Sequence, residues 1–287
     1  MPPAELRTPE PAAQVQVIAV TGGKGGTGKT SIAVNLATAL AQMDRKVMLL
    51  DGDLGLANVD VLLGLAPRYT LEHVLRGECA LEEVILESGS GVRVVPSASG
   101  VARMANLSPS EQHGIVQAFS NLRAPLHVLI VDTAAGMAEP VLQFCQAAQQ
   151  VLVVLRDEPT SLTDSYALIK VLSRERGVRR FRVVTNLARR VEDAHSVFRR
   201  LQRVSDRYLE VVLDHVGDIP EDLSLQRSIQ AQRPVLEAFP SSPASKAFRT
   251  LALAANQWPM PAGPSGRIEF FMERMLMRPA PRLMVLK

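Results

Sequence analysis

The residues best suited to chemistry form one glycine-rich segment, TGGKGGTGKTS, at positions 21–31. Gly23, Gly28, Lys29 and Thr30 satisfy the P-loop pattern G-x-x-x-x-G-K-[ST]. In such a loop, backbone N–H groups converge on phosphate oxygens, the lysine supplies a positive charge, and the threonine hydroxyl can bind Mg²⁺. The pattern therefore predicts a nucleotide-phosphate site, and its contacting residues would be Lys24, Gly25, Gly26, Thr27, Gly28, Lys29, Thr30 and Ser31.

Three aspartates follow apolar segments and could complete this site. Asp51 and Asp53 close the run KVMLLDGD, and Asp132 closes the run LHVLIVD. Mg²⁺ takes oxygen ligands, and one of two neighbouring carboxylates could act on the metal through water while the other orients an attacking water. The alternative is ordinary turn chemistry, because aspartate is common where a strand ends or a helix begins.

Apolar segments alternate along the chain with segments of helical periodicity, and this alternation predicts the fold. Residues 15–20 read as a buried strand before the P-loop, and residues 31–42 show helical spacing after it. We predict further strands at residues 46–51, 92–96, 126–132, 150–155, 181–186 and 208–220. We predict further helices near residues 70–76, 108–122, 161–173, 193–204, 222–231 and 243–257. The expected fold is α/β, with a doubly wound, mostly parallel sheet, helices on both faces, and the ligand at the carboxyl ends of the strands.

The composition fits one sizeable α/β unit. Of the 287 residues, 47% are hydrophobic and 21% are charged, with a formal net charge of +3. No apolar run approaches the ~20 residues of a membrane-spanning helix, and the N-terminal segment lacks the apolar core of a secretion signal. Cys79 and Cys145 form no C-x-x-C pair. This cysteine usage predicts a reducing cytosol and argues against a disulfide framework or a structural zinc site.

Both ends of the chain look different from its centre. We expect a flexible, proline-rich extension at residues 1–14, the nucleotide-binding domain at 15–258, a linker at 259–266, and an amphipathic helix and tail at 267–287. One face of that helix would carry Ile268, Phe271, Met272, Met275 and Leu276. The pattern favours reversible membrane targeting, and the alternative is a helix packed on the body of the protein.

Arginines are concentrated in one segment of the second half. They are Arg174, Arg176, Arg179, Arg180, Arg182, Arg189, Arg190, Arg199, Arg200, Arg203 and Arg207. Two interpretations stay open: a solvated face around a strand and a helix, or a docking surface for an acidic partner or nucleic acid.

The second lysine of the loop, Lys24, restricts which class of P-loop protein the sequence resembles. K-G-G-x-G-K-[ST], with Lys24 as its first residue, resembles the deviant Walker A motif of the MinD/ParA family of ATPases. The resemblance implies a MinD-like domain that uses ATP and Mg²⁺, dimerises around two ATP molecules and hydrolyses them slowly. It implies that Lys24 reaches the nucleotide of the partner subunit and that Asp53 positions the attacking water.

The same resemblance assigns the remaining site residues. The catalytic set would be Asp53, Lys24 and Lys29. The metal set would be Thr30, Asp51 and Asp132, with Asp132 as the Walker B carboxylate. The base would be contacted by Asn186 and by the turn that contains Pro220 and Asp222.

Three further segments resemble the FlhG branch of the family, also called FleN. They are GLANVDVLLGL, DTAAG and DEPTSLTDSYALIK. The resemblance implies a cytoplasmic regulator of flagellar number and placement that binds an AAA+ flagellar transcription activator and acts alongside the GTPase FlhF. It also implies reversible attachment to the inner face of the cell membrane, with a cell pole as one location.

Two rival functions are weighed against this one. A ParA-type partition ATPase would use the arginine-rich segment to bind DNA non-specifically, whereas the favoured interpretation does not expect direct DNA binding. An iron–sulfur reductase component, similar to the nitrogenase iron protein, would need a cysteine soon after Asp132 in a glycine-rich loop. Cys145 instead lies in the apolar stretch VLQFCQAA.

Overall fold

A mostly parallel eight-stranded sheet is the centre of the molecule. The computed structural model describes residues 14–98, 100, 107–122, 124–261 and 269–271. The strands are β1 Gln16–Thr21, β2 Val47–Gly52, β3 Leu86–Glu87, β4 Arg93–Val95, β5 Val128–Thr133, β6 Gln150–Leu155, β7 Arg180–Ala188 and β8 Val212–Pro220. Their spatial order is β3-β4-β2-β5-β1-β6-β7-β8, and only the β3–β4 pair is antiparallel. The predicted doubly wound α/β fold is confirmed.

Helices cover both faces of the sheet. They are α1 Lys29–Ala41, α2 Val59–Leu62, α3 Leu71–Leu75, α4 Leu81–Val84, α5 Pro109–Ser120, α6 Glu139–Ala147, α7 Pro159–Glu175, α8 Val191–Tyr208, α9 Leu223–Gln230, α10 Val235–Ala238 and α11 Pro243–Ala255. Ile18 and Val20 of β1 are buried with α1 and α11. Val17 is buried on the opposite face with α5, and Ala19 with α6, α7 and α8. This alternation explains why β1 is apolar at every position between Val17 and Val20.

The strand order brings together the residues that the sequence separates. Strand β5 lies between β1 and β2, so a β1–α1–β2 crossover leaves space for a strand that comes about 80 residues later. Asp132 is in register with Val20 on one side and with Asp51 on the other. The carboxyl ends of three adjacent strands therefore carry the P-loop and both aspartates.

The short elements α2, α4, α10 and β3 were not predicted, and two longer segments also differ from the sequence-based expectation. Helix α6 was not predicted, because Val141, Leu142, Phe144 and Cys145 are all buried and give an almost continuous apolar pattern. The segment predicted as a strand from residue 208 is helical through Tyr208, and β8 begins only at Val212. The buried stripe of α8 continues through a serine at position 205, which an apolar periodicity does not detect.

The C-terminal segment also differs from the prediction. Residues 269–271 form a turn rather than part of a helix, and Phe271 has a φ of 58°. Phe270 and Phe271 are both buried in the cluster around α5 and α6, which fixes this short stretch by packing. The other four residues of the predicted membrane face, Ile268, Met272, Met275 and Leu276, lie outside the described residues.

Among the described residues, no helix is both long enough and apolar enough to cross a bilayer.

Candidate nucleotide-binding site

The P-loop connects β1 to α1, and α1 begins at Lys29. Two of its glycines are required by close approach. A Cβ on Gly23 would lie 2.2 Å from the carbonyl oxygen of Asp164 in α7. A Cβ on Gly28, whose φ is 90°, would lie 2.3 Å from Nδ2 of Asn186. The loop is thus clamped between two other parts of the fold, which presents its N–H groups in a fixed geometry.

A cleft of about 530 Å³ opens beside this loop. It is lined by the P-loop and α1, by the segment after β2, and by the segment after β5. The lining residues are Gly25, Gly26, Gly28, Lys29, Thr30, Ser31, Asp53, Leu56, Asn58, Leu62, Thr133, Ala134 and Ala135. A Cβ added to Gly25 or Gly26 would meet nothing within 4 Å, so the loop leaves room for phosphate groups at this point.

Lys29 places a positive charge in the wall of the cleft. Its side chain is largely buried, and burial lowers the pKa of its ammonium group, while the carboxylates of Asp132 and Asp53 oppose that shift. A bound polyphosphate would supply further negative charge beside it. The N-terminus of α1 adds its positive dipole end at the same point.

Asp132 has the properties of a metal ligand. Its carboxylate is fully buried, and the Thr30 hydroxyl beside it favours the charged form. Burial, followed by repulsion from Asp51, raises the pKa of Asp132 to about 8, although Thr30 and Lys29 oppose the shift. Its Oδ1 is buried without a hydrogen-bond partner among the described residues. An orphaned carboxylate oxygen next to a threonine hydroxyl fits Mg²⁺, which takes oxygen ligands.

Asp51 organises the loop that follows β2. Its Oδ1 accepts from the N–H of Asp53 at 3.1 Å, and its Oδ2 accepts from those of Asn58 at 2.8 Å and Val59 at 3.0 Å. Burial raises the pKa of Asp51 to about 7 despite these hydrogen bonds. The sequence pattern did not reveal this loop-ordering role, since none of the donors is a side chain. With both oxygens already accepting, Asp51 is suited to act on a metal through water.

Asp53 faces the cleft, and the loop after β5 contacts the P-loop. Asp53 Oδ1 accepts from the N–H of Leu56 at 3.2 Å, and this carboxylate lines the cleft together with Lys29. The N–H of Gly136 donates to the carbonyl oxygen of Gly22 at 3.1 Å. A ligand at the phosphate position would therefore be within reach of both loops.

Comparison with known proteins agrees with this geometry. A family model described as ParA, NUBPL iron-transfer P-loop NTPase, matches residues 14–255. The chain belongs to the ParA/MinD family of P-loop NTPases. Members of this family are ATPases, and the predicted family and activity are confirmed.

Two relatives place this ParA/MinD ATPase on the FlhG (FleN) branch. Antiactivator FleN of Pseudomonas aeruginosa is 55% identical over 266 residues, which cover 93% of this chain and 95% of that protein. Flagellum site-determining protein YlxH of Helicobacter pylori is 29% identical over 82% of this chain and 80% of that protein.

A solved structure shows the same fold with a nucleotide bound. It is the septum site-determining protein MinD of Pyrococcus horikoshii, complexed with Mg-ADP. The TM-score is 0.72 at 25% identity, covering 85% of this chain and 97% of that one. This neighbour supports the use of a nucleotide and magnesium by this ParA/MinD ATPase.

The signature lysine of this ParA/MinD ATPase contacts its own chain. Lys24 Nζ lies 3.1 Å from Oε2 of Glu158 and donates to Oγ1 of Thr160 at 2.8 Å. Arg156 Nη2 holds the other oxygen of Glu158 at 3.1 Å. The Lys24 hydrogen bond and the Arg156 charge lower the pKa of Glu158. Sequence reasoning missed Glu158, and the adjacent charges in the segment RDEPT were the only available signal.

The three residues predicted to contact the base have different surroundings. Asn186 Nδ2 donates to the carbonyl oxygen of Thr27 at 2.7 Å, and Asn186 Oδ1 is buried without a hydrogen-bond partner among the described residues. Pro220 ends β8. Asp222 instead caps helices, since its carboxylate accepts from the N–H of Ser224 at 2.7 Å and of Ala244 at 3.0 Å. Adenine contacts by Asn186, Pro220 and Asp222 stay predictions.

The arginine-rich segment is divided between α7, β7 and α8, and much of its charge is paired. Arg182 is buried and lies 2.5 Å from Asp214, and it also stacks over Trp258. Further ion pairs join Arg176 to Glu139, Arg180 to Asp214, Arg189 to Glu221 and Arg200 to Asp157. This distribution favours the solvated-face interpretation over a continuous basic surface.

The described part of the C-terminal segment is held between α5 and α6. Phe270 packs edge-on against Phe119 at 5.7 Å and stacks with Phe144 at 6.3 Å between ring centroids. The N–H of Phe271 donates to Oγ of Ser120 at 3.0 Å, and that of Phe270 to the carbonyl oxygen of Ala147 at 3.3 Å. Phe271 therefore contacts protein here, and contact with lipid would require it to leave this position.

Proposed function

We propose that this ATPase is a nucleotide-dependent switch that regulates flagellar number. The 55% identity to an antiactivator over nearly the whole length of both chains carries the proposal. In its ATP-bound form the protein would dimerise, and the dimer would bind an AAA+ flagellar transcription activator. Hydrolysis assisted by Asp53 would return the protein to the monomer.

The Mg²⁺ ion would be held by Thr30 and Asp132 directly and by Asp51 through water. When bound, it neutralises charge on the phosphates. The P-loop N–H groups and Lys29 would hold the phosphates, and Asp53, which lines the cleft, would orient the attacking water.

Sizing by light scattering with and without a non-hydrolysable ATP analogue tests the switch. We expect a monomer without nucleotide or with ADP and a dimer with the analogue and Mg²⁺. Pull-down of the flagellar activator should then be strongest with the analogue. Equal recovery of the activator with ATP analogue, ADP and no nucleotide would contradict the proposal. FlhF would be tested as a second partner in the same assay.

Membrane attachment is the second part of the proposal. Phe270 stacks on Phe144 of α6, and α6 begins three residues after Gly136, whose N–H contacts the P-loop. A change at the phosphate site can therefore reach the C-terminal segment through one short helix. Release of residues 267–278 from the body in the ATP state would expose the predicted apolar face to lipid.

Vesicle co-sedimentation tests this part without removing the buried phenylalanines. Met275→Glu combined with Leu276→Glu should abolish ATP-dependent binding to anionic vesicles, because two charges would enter the apolar face. Met284→Glu lies outside residues 267–278, which carry the predicted apolar face, and serves as the matched control. Equal sedimentation of the wild type, the double variant and Met284→Glu would contradict the membrane proposal.

Phe270→Ala tests whether Phe270 holds the C-terminal segment away from lipid or only packs in the core. Loss of this fully buried ring should destabilise the fold by about 3–5 kcal/mol. If the segment is released to bind lipid, the variant should also bind vesicles without ATP. A lower unfolding free energy with unchanged vesicle binding would leave Phe270 as core packing only.

A further inference from the structure

Two histidines 20 residues apart in the sequence meet at one aspartate at the edge of the sheet, outside the nucleotide cleft. His215 and Asp218 lie on β8, and His195 lies on α8. His215 Nε2 is 2.9 Å from Asp218 Oδ1, and His195 Nε2 is 3.6 Å from Asp218 Oδ2. One ligand atom from each of the three residues lies within 4.8 Å of the other two.

The surrounding packing holds this group in place. The His215 ring stacks on Phe198 at 4.8 Å with an interplanar angle of 22°. The His195 ring meets His215 edge-on at 5.2 Å. Strand pairing fixes His215 and Asp218 opposite residues of β7, and both side chains are largely buried. Only His195, whose side chain is 48% exposed, opens the cluster to solvent.

We propose that His195, His215 and Asp218 form a binding site for a divalent transition-metal ion, with Zn²⁺ as the best match. Two imidazole nitrogens and one carboxylate oxygen suit Zn²⁺, Co²⁺ and Ni²⁺ better than Mg²⁺ or Ca²⁺, which take oxygen ligands. Bonds of about 2.0–2.1 Å in a tetrahedral site place ligand atoms roughly 3.3 Å apart. His215 Nε2 lies 2.9 Å from one oxygen of Asp218 and His195 Nε2 lies 3.6 Å from the other, so side-chain shifts would bring both nitrogens and one carboxylate oxygen to that spacing.

The ion would cross-link α8 to β8 beside the turn that contains Pro220. Its remaining coordination position faces solvent on the side of His195, where a water or a group from another molecule can bind. The absence of a C-x-x-C pair argues against a zinc site built from cysteines, and this site has no cysteine ligand. Histidines 20 residues apart on a helix and a strand also match no short metal motif, and only the tertiary structure brings them together.

Metal titration of the untagged, chelator-treated full chain tests the site. Millimolar Mg²⁺ is kept in the buffer so that the nucleotide site does not compete. Zn²⁺ binding is followed by calorimetry, and Co²⁺ binding by visible absorption. We expect one equivalent of Zn²⁺, and His195→Gln and His215→Gln should each weaken its binding by at least about tenfold. His113→Gln, at an exposed position of α5, is the matched control and should bind normally.

Several results would overturn the proposal. One is the absence of stoichiometric metal uptake by the wild-type protein, which would leave the two histidines as hydrogen-bonding partners of Asp218. Another is unchanged affinity in His195→Gln, which occupies an exposed helical position and is expected to fold even where His215→Gln does not. A third is equal loss in Cys79→Ser or His113→Gln, which would place the metal elsewhere. Circular dichroism of each variant checks its fold.

Discussion

Single residues in the nucleotide site are arranged around charge that is incompletely balanced. Asp51, Asp132 and Lys29 are all buried, and buried charges are costly unless they are paired or bind a ligand. The raised pKa values of the two aspartates and the lowered pKa of Lys29 express that cost. Bound Mg²⁺ would pair with the two carboxylates, and a bound phosphate would pair with Lys29. A magnesium–nucleotide complex would therefore lower the cost of burying all three charges.

The first prediction separates binding from hydrolysis. Lys29→Ala should weaken ATP binding by about 2–5 kcal/mol, because the phosphates lose their buried cationic partner. Asp53→Ala should retain ATP binding and lower the hydrolysis rate by roughly 10²-fold or more, since only water positioning is lost. Calorimetry and phosphate release measure the two effects, with the exposed Lys170→Ala as control. Normal turnover by Asp53→Ala would show that its assignment is wrong.

The second prediction concerns Asn186, whose amide supports the P-loop. Asn186→Ala removes the hydrogen bond to the Thr27 carbonyl oxygen, and we expect a loss of about 1–3 kcal/mol in unfolding free energy. ATP binding should weaken too, because the loop loses a support. Chemical denaturation and calorimetry measure both quantities. Asn256→Ala, exposed at the end of α11, should change stability by less than about 0.5 kcal/mol. Equal stability of the two variants would contradict the support role.

Among the secondary-structure elements, short helices connect the site to distant parts of the fold. Helix α6 links the loop after β5 to Phe270 through Phe144. On the other face, Asp222 caps α9 and also accepts from the N–H of Ala244 at the start of α11, so it joins two helix N-termini. Burial alone would raise the pKa of Asp222, but hydrogen bonds from Ala244 and Ser224 lower it below its ordinary value.

The third prediction follows from this double capping. Asp222→Ala should lower the unfolding free energy by about 1–2 kcal/mol at neutral pH. Because the folded state depresses the pKa of Asp222, its contribution is present above the ordinary aspartate pKa of about 3.9 and is lost as pH falls through the folded value. The difference between wild type and variant should therefore shrink in acid. Denaturation at several pH values measures it, with the exposed Asp206→Ala as control. A difference that is independent of pH would contradict the carboxylate's role.

For the whole molecule, the contacts of Lys24 bear on the proposed dimerisation. Its ammonium group is bound within the chain by Glu158 and Thr160. A lysine that reaches across an interface must first leave those partners. The two side chains are 39% and 35% exposed, so the attraction that would oppose dimerisation is modest.

The fourth prediction is that substitutions of Glu158 and Lys24 change dimerisation in opposite directions. Glu158→Gln should raise the dimerisation constant with an ATP analogue by about two- to fivefold, which corresponds to an exposed ion pair of up to ~1 kcal/mol. Lys24→Ala should bind ATP as a monomer and fail to dimerise. Glu175→Gln, at the opposite end of α7, is the control. Analytical ultracentrifugation measures the dimer fraction, and a stable Lys24→Ala dimer would show that Lys24 does not cross the interface.

The sequence by itself determined the family, the fold class and the positions of the P-loop and the strand-end aspartates. These features are local: a glycine-rich loop after a buried strand, and carboxylates directly after apolar runs. A parallel sheet then brings strand ends to one edge, whichever strands are neighbours. The long strands were predicted within one or two residues at most ends because both their faces are covered, whereas α6 was missed for the same reason.

Only the tertiary structure decided which partners these residues have. The donors to Asp51 are backbone groups, and Glu158, Asn186 and the cluster at His195 meet partners 20 to more than 150 residues away. The turn at Phe271 replaced a predicted helix because two consecutive aromatic rings fill the core between α5 and α6. Side-chain periodicity reports which face is apolar, but it does not say what that face will cover, since this depends on how distant elements pack.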